Sequence, residues 1–400
     1  MKFLPTVSLL WLVVYVGIGC DALSSSSLAQ QTTNTMKFVR GMRDLVHEYD
    51  VFLLDMWGVM HDGQKPYDGV LDVVQQLKQH TTSSSDQPKR LIILSNSSKR
   101  KDHSMKMLTK LGFDPNDFTQ ILTSGEIAHH ILSAHGTTDD PVTETTNEWH
   151  WDVLTEHLES TNNKARKVFV LGSGDGDADY CTSCGWELAP VDEASLIVAR
   201  GTFTIDNGQT VVEKRVSEKE YDRVLQECLE QAASLQLPML VCNPDKIRPD
   251  ADKSPMPGQL GDLYEEALQS KQGLDGSSAE RLVKRIGKPF ADVYRIALQS
   301  ESDQTVDLSR VCMVGDALET DVAGGSAVGI DTIWILKDGI YGDQLESIAQ
   351  EKQKNGKDQD TALVHAAVEI TSSFNSLPAH ETYAKGRQLE PTVLMPHFRW

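Results

Sequence analysis

The chain has 400 residues, 40% of them apolar and 24% charged, a globular composition long enough for two cores rather than one. A net charge of -20 excludes a nucleic-acid backbone as partner, because such binding needs clustered positive charge. The longest apolar run, Val7 to Ile18, is short for a membrane span.

That run follows Lys2 and precedes the small residues Gly19 and Ala22, the layout of a secretory signal peptide over 1–22. A signal anchor is the alternative. Residues 23–44 are expected to be a Ser/Thr-rich targeting or linker segment. Acids are absent from 23–37, as in transit peptides, so a secretory-pathway address and a bipartite plastid address both stay open. No membrane span is expected in the mature protein.

The first folded element is expected at Val51-Phe-Leu-Leu54, an apolar run read as a buried strand. It delivers Asp55 to the strand's end, where Gly58 and Gly63 let the chain turn. In an open α/β sheet that end faces the ligand crevice. Asp55 there is a nucleophile, a metal ligand or merely the start of a turn. A helix near 69–80, a strand at 91–94, a helix at 102–112 closed by Gly112, a strand at 121–125 and a helix at 126–135 follow. This alternation predicts a parallel sheet with helices around it.

Residues 141–166 are polar and read as an insertion with one helix near 149–159. A second α/β series is expected over 167–284, with strands at 168–171, 195–199 and 239–242 and a helix at 217–235. The first sheet resumes over 285–345 with strands at 311–314 and 332–336. The fold class is therefore α/β: a Rossmann-like core (45–140 and 285–345) carrying an inserted α/β domain. The segment 346–400, ending Pro396-His-Phe-Arg-Trp400, is expected to pack on the core.

Two local patterns invite other chemistry. Cys181-Thr-Ser-Cys184 is a disulfide, a redox pair or half a zinc site, although no second CxxC or His pair at finger spacing accompanies it. Gly172-Ser-Gly-Asp-Gly-Asp-Ala-Asp179 lacks dinucleotide-fingerprint spacing, and as a calcium loop it puts Tyr180 where Gly is required. It reads as a turn within the inserted domain.

Four scattered segments carry phosphate-handling chemistry. Asp55 is the first. Ser95 follows the strand at 91–94, where its hydroxyl and nearby N–H groups suit an anion. Lys288, in Gly287-Lys-Pro289, supplies a point positive charge. Val311-Cys-Met-Val-Gly-Asp316-Ala-Leu-Glu-Thr-Asp321 presents two acids five apart after a strand. In this order the set resembles the haloacid dehalogenase (HAD) superfamily, class IIA. That class carries a large α/β cap of the C2 type between its second and third motifs and includes nitrophenyl-phosphate, pyridoxal-phosphate and sugar-phosphate phosphatases. Thr123-Ser-Gly-Glu126, Cys242-Asn-Pro-Asp245 and Pro257-Gly258 support the resemblance.

The resemblance implies a Mg2+-dependent hydrolase cleaving a small phosphorylated metabolite through an aspartyl-phosphate on Asp55. Mg2+ would be held by Asp55, the main-chain carbonyl of Trp57, and Asp316, with Asp321 behind them. Ser95 and Lys288 would bind the phosphoryl group, and Asn96, Asn243, Asp245, Arg248 and Trp57 would face the substrate. For Arg248 a surface salt bridge is the alternative. One departure stands out: Trp57 occupies the place of the family's second Asp, the general acid and base. An indole N–H is not an acid at neutral pH, so His61 and Asp62 are the candidate substitutes. Cleavage of a carbon–halogen or carbon–phosphorus bond, or a weakly catalytic binding role, also stays open, as does a homo-oligomeric state. The sequon Asn96-Ser-Ser98 falls inside this site, where a glycan would block it.

Overall fold

The computed structural model describes residues 36–83, 86–136, 149–161, 166–248, 254–299, 306–377 and 387–400. The expected signal peptide, the segment 23–35 and much of the polar insertion (141–148 and 162–165) lie outside the described residues. None of the described helices is long and apolar enough to cross a membrane.

The chain opens with a short strand β1 (Lys37–Phe38), followed by β2 (Val51–Leu54), α1 (Val70–Lys78), β3 (Arg90–Ser95), α2 (Lys101–Lys110), β4 (Gln120–Thr123) and α3 (Ser124–Gly136). After α4 (Asp152–Ser160), a second series runs β5 (Lys167–Gly172), α5 (Asp177–Thr182), β6 (Glu187–Leu188), β7 (Leu196–Ala199), β8 (Thr204–Asp206) and β9 (Val211–Glu213). It continues through α6 (Glu218–Ser234), β10 (Met239–Val241), α7 (Pro257–Gln272), α8 (Gly276–Leu282) and β11 (Val283–Arg285). The return comprises α9 (Ala291–Leu298), β12 (Val311–Gly315), α10 (Ala323–Val328), β13 (Asp331–Ile335), α11 (Gly342–Lys354), α12 (Gln359–Asn375) and β14 (Val393–Met395).

The first sheet has the order β1-β14-β13-β12-β2-β3-β4, and every pair in it is parallel. All four residues of β2 are buried, as expected where helices cover both faces of a parallel sheet. Alternate side chains enter different layers: Val51 and Leu53 join one apolar cluster, Phe52 and Leu54 another. Val70, Val73, Val74 and Leu77 form the buried stripe of α1.

The second sheet, the cap, has the order β11-β10-β7-β5-β8-β9, with β6 beside β5. Its β5–β8 and β8–β9 pairs are antiparallel. The apolar cluster beneath it is shared with the core: Leu196, Val198 and Leu240 of the cap, Leu154 of α4, and Leu53, Ile92 and Ile131 of the core belong to one set. Polar stitches reinforce it. Tyr180 Oη donates to Gly125 O at 2.6 Å, and Trp186 Nε1 donates to Leu132 O at 2.9 Å.

The structure moves two expected boundaries. The core begins before residue 45, because β1 pairs with β14. The C-terminal segment does more than lie on the core: β14 adds to the sheet between β1 and β13. Three apolar residues closing a polar stretch give too short a periodic signal to read as a strand.

Cys181 and Cys184 are free, buried thiols, and burial pushes Cys181 up. As unlinked, buried thiols they resemble structural rather than reactive cysteines, and among the described residues they belong to no group of three metal-ligating side chains. The Gly172–Asp179 segment is the expected cap turn. Asp177 at its end pairs with the buried Arg200 guanidinium at 2.5 Å and accepts the Gly174 N–H at 2.8 Å.

Leu394 is fully buried in β14. Leu394→Ala should therefore cost about 2–5 kcal/mol in urea unfolding; a cost typical of a surface position would mean that the C-terminal strand contributes little to the core.

Candidate active site

Asp55, Ser95 and Asp316 all lie at or just beyond the carboxyl ends of neighbouring strands. The register pairs Leu54 of β2 with Ile93 of β3 and with Val314 of β12. Asp55 donates its N–H to Val314 O at 2.9 Å, so the chain leaves β2 directly beside Gly315 and Asp316. Gly58 permits the close return of that loop. Its φ is +82°, and a Cβ there would stand 2.3 Å from Asp316 Oδ2.

Lys288 arrives from the far side, between the cap strand β11 and α9. Its Nζ donates to Asp55 Oδ1 at 2.5 Å and to Asp321 Oδ1 at 2.7 Å. The side chain is 3% exposed, and the charge is retained: burial opposes it, but Asp321 and Asp55 outweigh burial and raise its pKa. Gly287 makes this placement feasible. Its φ is +138°, and a Cβ would meet Asn96 Oδ1 at 2.5 Å and Pro244 Cδ and Ser124 Oγ at 2.6 Å.

The acidic residues are held separately. Asp321 sits in a π-helical turn, Leu318–Val322, a form often found at functional sites. Its Oδ2 accepts the N–H groups of Asp316 and Ala317, each at 3.1 Å. Asp316 Oδ2 accepts the Ile340 N–H at 2.8 Å, and its carbonyl accepts from Trp334 Nε1 at 2.8 Å.

Asp55, Asp316 and Asp321 offer carboxylate oxygens within 4.8 Å of one another. A single ammonium cannot neutralise three carboxylates. Burial, with the charges of Asp321 and its neighbours, pushes Asp55 up to about 6 and raises Asp316 well above its usual range. A hard divalent cation with oxygen ligands fits this donor set. Both oxygens of Asp321 are already engaged, one by Lys288 and one by backbone N–H groups, which suits a supporting position behind Asp55 and Asp316.

Ser95, partly buried, ends β3, and its Oγ accepts the Ser97 N–H at 3.3 Å. Asn96 is buried and joins three parts of the site. Its Oδ1 accepts the Lys288 N–H at 2.7 Å, while Nδ2 donates to Lys288 O at 3.0 Å and to Asp245 Oδ1 at 2.8 Å. A glycan on that nitrogen is incompatible with these bonds. Asn243 is buried beneath the same cap loop and accepts the Asp245 N–H at 2.8 Å. Arg248 lies further along it, partly buried, donating its N–H to Ser254 O.

Trp57 is partly buried and bridges to His61. The two expected substitutes for a proton donor are arranged for other work. His61 Nδ1 accepts the Gly63 N–H at 2.9 Å, which leaves the proton on Nε2. That nitrogen is buried without a partner among the described residues, and burial holds the imidazole below its ordinary pKa. Asp62 Oδ1 accepts the N–H groups of Gln64 and Lys65, both at 2.8 Å. Those bonds hold its carboxyl below the usual range, so at neutral pH it has no proton to give.

Nothing in residue type or spacing pointed to Trp334 or Ile340 as supports of Asp316. Trp334 reads as an apolar strand residue, and Ile340 contributes only main chain.

Residues 52–187 match the family model for haloacid dehalogenase-like hydrolases, and 285–358 match a related model of the same kind. No curated protein matches the sequence. Among solved structures, a hydrolase of the haloacid dehalogenase-like family from Brucella suis 1330 is similar, with TM-score 0.51 and 21% identity over 74% of this chain and 89% of its own. A protein from Cytophaga hutchinsonii ATCC 33406 described as a possible sugar phosphatase aligns with TM-score 0.51 and 18% identity, over 81% of this chain and 96% of its own. At these identities the likeness concerns the fold.

Removing the ammonium should expose how much the cluster depends on it. Lys288→Met is expected to lose about 3–5 kcal/mol of stability at neutral pH without divalent metal, read by urea unfolding. A loss below about 1 kcal/mol, the level of an exposed pair, would mean that the three acids do not rely on Lys288.

Proposed function

The chain belongs to the haloacid dehalogenase-like hydrolases, whose models together match more than half of it, and on that footing we propose a Mg2+-dependent phosphatase acting on a small phosphate monoester. The observation that carries this reading is the Lys288 ammonium clamped between Asp55 and Asp321 at the carboxyl end of the core sheet, beside Asp316.

In this reading an Asp55 oxygen attacks phosphorus in line, forming an aspartyl-phosphate and breaking the bond to the leaving oxygen. Lys288 holds Asp55 in place and balances charge on the transferring group. Ser95 Oγ donates to a phosphoryl oxygen, next to N–H groups opening toward α2. Asp55, the Trp57 carbonyl and Asp316 would hold Mg2+, which supplies charge neutralisation between two approaching anions. Asn96 couples the main chain of Lys288 to the cap through Asp245, so a substrate that displaces the cap loop also disturbs the backbone that carries the ammonium. The Trp57 ring beside the loop contributes an apolar wall to the leaving-group side.

Purified protein should hydrolyse 4-nitrophenyl phosphate in Mg2+, and Asp55→Asn should abolish that turnover. If wild type and variant behave alike across a panel of alkyl and aryl phosphates, the phosphatase reading is wrong. Mg2+ should also raise the melting temperature of the wild-type chain, and Asp316→Asn should remove most of that rise. An undiminished rise in the variant would place the ion elsewhere.

A further inference from the structure

We propose that Asp245, carried on the cap loop after β10, is the proton donor and acceptor for the leaving oxygen, in the role that Trp57 leaves vacant. This rests on the phosphoryl-transfer reading and adds to it the group that handles the proton.

Geometry supplies the argument. Asp245 Oδ1 accepts from Asn96 Nδ2 at 2.8 Å, and the same carboxamide is bonded to both main-chain polar groups of Lys288. Lys288 Nζ in turn lies 2.5 Å from Asp55 Oδ1. The cap carboxyl is thereby anchored on the core residues that surround the phosphoryl position. The loop also packs closely on the core: Pro244 Cδ lies 2.6 Å from where a Cβ of Gly287 would be, and Asn243 Oδ1 accepts the Asp245 N–H. Among the described residues only Oδ1 of the carboxyl is hydrogen-bonded, and Oδ2 is not one of the buried orphaned atoms. One oxygen is held, and the residue as a whole keeps partial exposure.

The protonation state matches the task. Burial pushes the Asp245 carboxyl up to about 7, with Asp55 and Asp321 adding to the rise and the Asn96 bond and Lys288 opposing it. A general acid works best when its pKa lies near the operating pH. Asp62, held below the usual carboxylate range by its turn N–H groups, has no proton to give at neutral pH, and His61 has one ring nitrogen accepting the Gly63 N–H and the other buried.

The step balances simply. As an Asp55 oxygen bonds to phosphorus, the bond from phosphorus to the ester oxygen breaks, and that oxygen takes the proton from Asp245. The alcohol leaves and Asp245 is a carboxylate. It then takes a proton from water as the water oxygen attacks the phosphorus of the aspartyl-phosphate. Inorganic phosphate is released, and Asp55 and Asp245 return to their starting states.

The test compares leaving groups on one enzyme. A primary alkyl phosphate needs its leaving oxygen protonated, whereas 4-nitrophenyl phosphate releases a stable phenolate. Asp245→Asn keeps the shape and the Asn96 contact but holds no transferable proton. Its kcat on the alkyl ester should fall by roughly 10²–10⁴, and that loss should exceed the loss on the nitrophenyl ester by at least about tenfold, the span of one order within that range. Asp245→Glu should recover part of the alkyl-ester rate, with both variants melting close to wild type. Equal losses on both esters, or a change confined to KM, would make Asp245 a positioning or binding residue and overturn the proposal. So would a large gain in alkyl-ester kcat on Trp57→Asp in an otherwise wild-type chain, since that would mean the proton is missing rather than supplied. Failure of wild type to turn over any ester would sink the phosphatase reading itself, a result distinct from these.

Discussion

A buried ammonium between two carboxylates is the constraint around which this molecule is organised. Lys288 and Asp321 are almost fully enclosed and Asp55 is nearly so. Charges removed from water are tolerated only when each finds a partner at close range. Three different parts of the chain must therefore reach one point: the end of β2, the π-helical turn after β12, and the crossing from cap to core. A fourth, the Asn96 side chain after β3, fixes the backbone that carries the lysine. With three acids and one lysine, the cluster holds more carboxylates than its one ammonium can balance, a donor set that suits a hard divalent cation.

The cap belongs to this arrangement rather than resting beside it. One apolar cluster runs from the core strands through α3 and α4 into the cap sheet. Hydrogen bonds from Tyr180 and Trp186 tie the cap to the main chain of α3. Closer to the site, Lys99 of the core donates to Ser173 of the cap turn at 3.2 Å, and Asn96 donates to Asp245. The cap loop after β10 thus meets the core through the Asp245 carboxyl, on the same Asn96 that fixes the Lys288 main chain. With an indole at position 57, the core loop after β2 offers no carboxyl at that place, and the nearest cap carboxyl bonded to the core cluster is that of Asp245.

Much of this was legible from residue type and spacing. Strand β2 is readable because four apolar residues end in an acid and glycine, and β12 repeats the pattern before Asp316. Both are central parallel strands, buried on two faces, where continuous apolar runs are the rule. The edge elements escaped. β1 has two residues and β14 three, too few for periodicity, and they are strands only because each lies against a neighbour already in place. His61 and Asp62 looked suitable by position alone. The turn at Gly63–Lys65 decides otherwise, since it uses one imidazole nitrogen and one carboxylate oxygen as acceptors of its own N–H groups.

The chain by itself determined the fold class, the strands that lead to Asp55, Ser95 and Asp316, and the presence of an inserted second sheet, because these follow from hydrophobic runs and local turn chemistry. Only tertiary structure decided which acids share one ammonium, that Asn96 couples the lysine to the cap through Asp245, and that burial raises the Asp245 carboxyl while turn N–H groups hold Asp62 down. Those outcomes depend on burial and on distances between residues far apart in sequence, and neither quantity exists until the chain has packed.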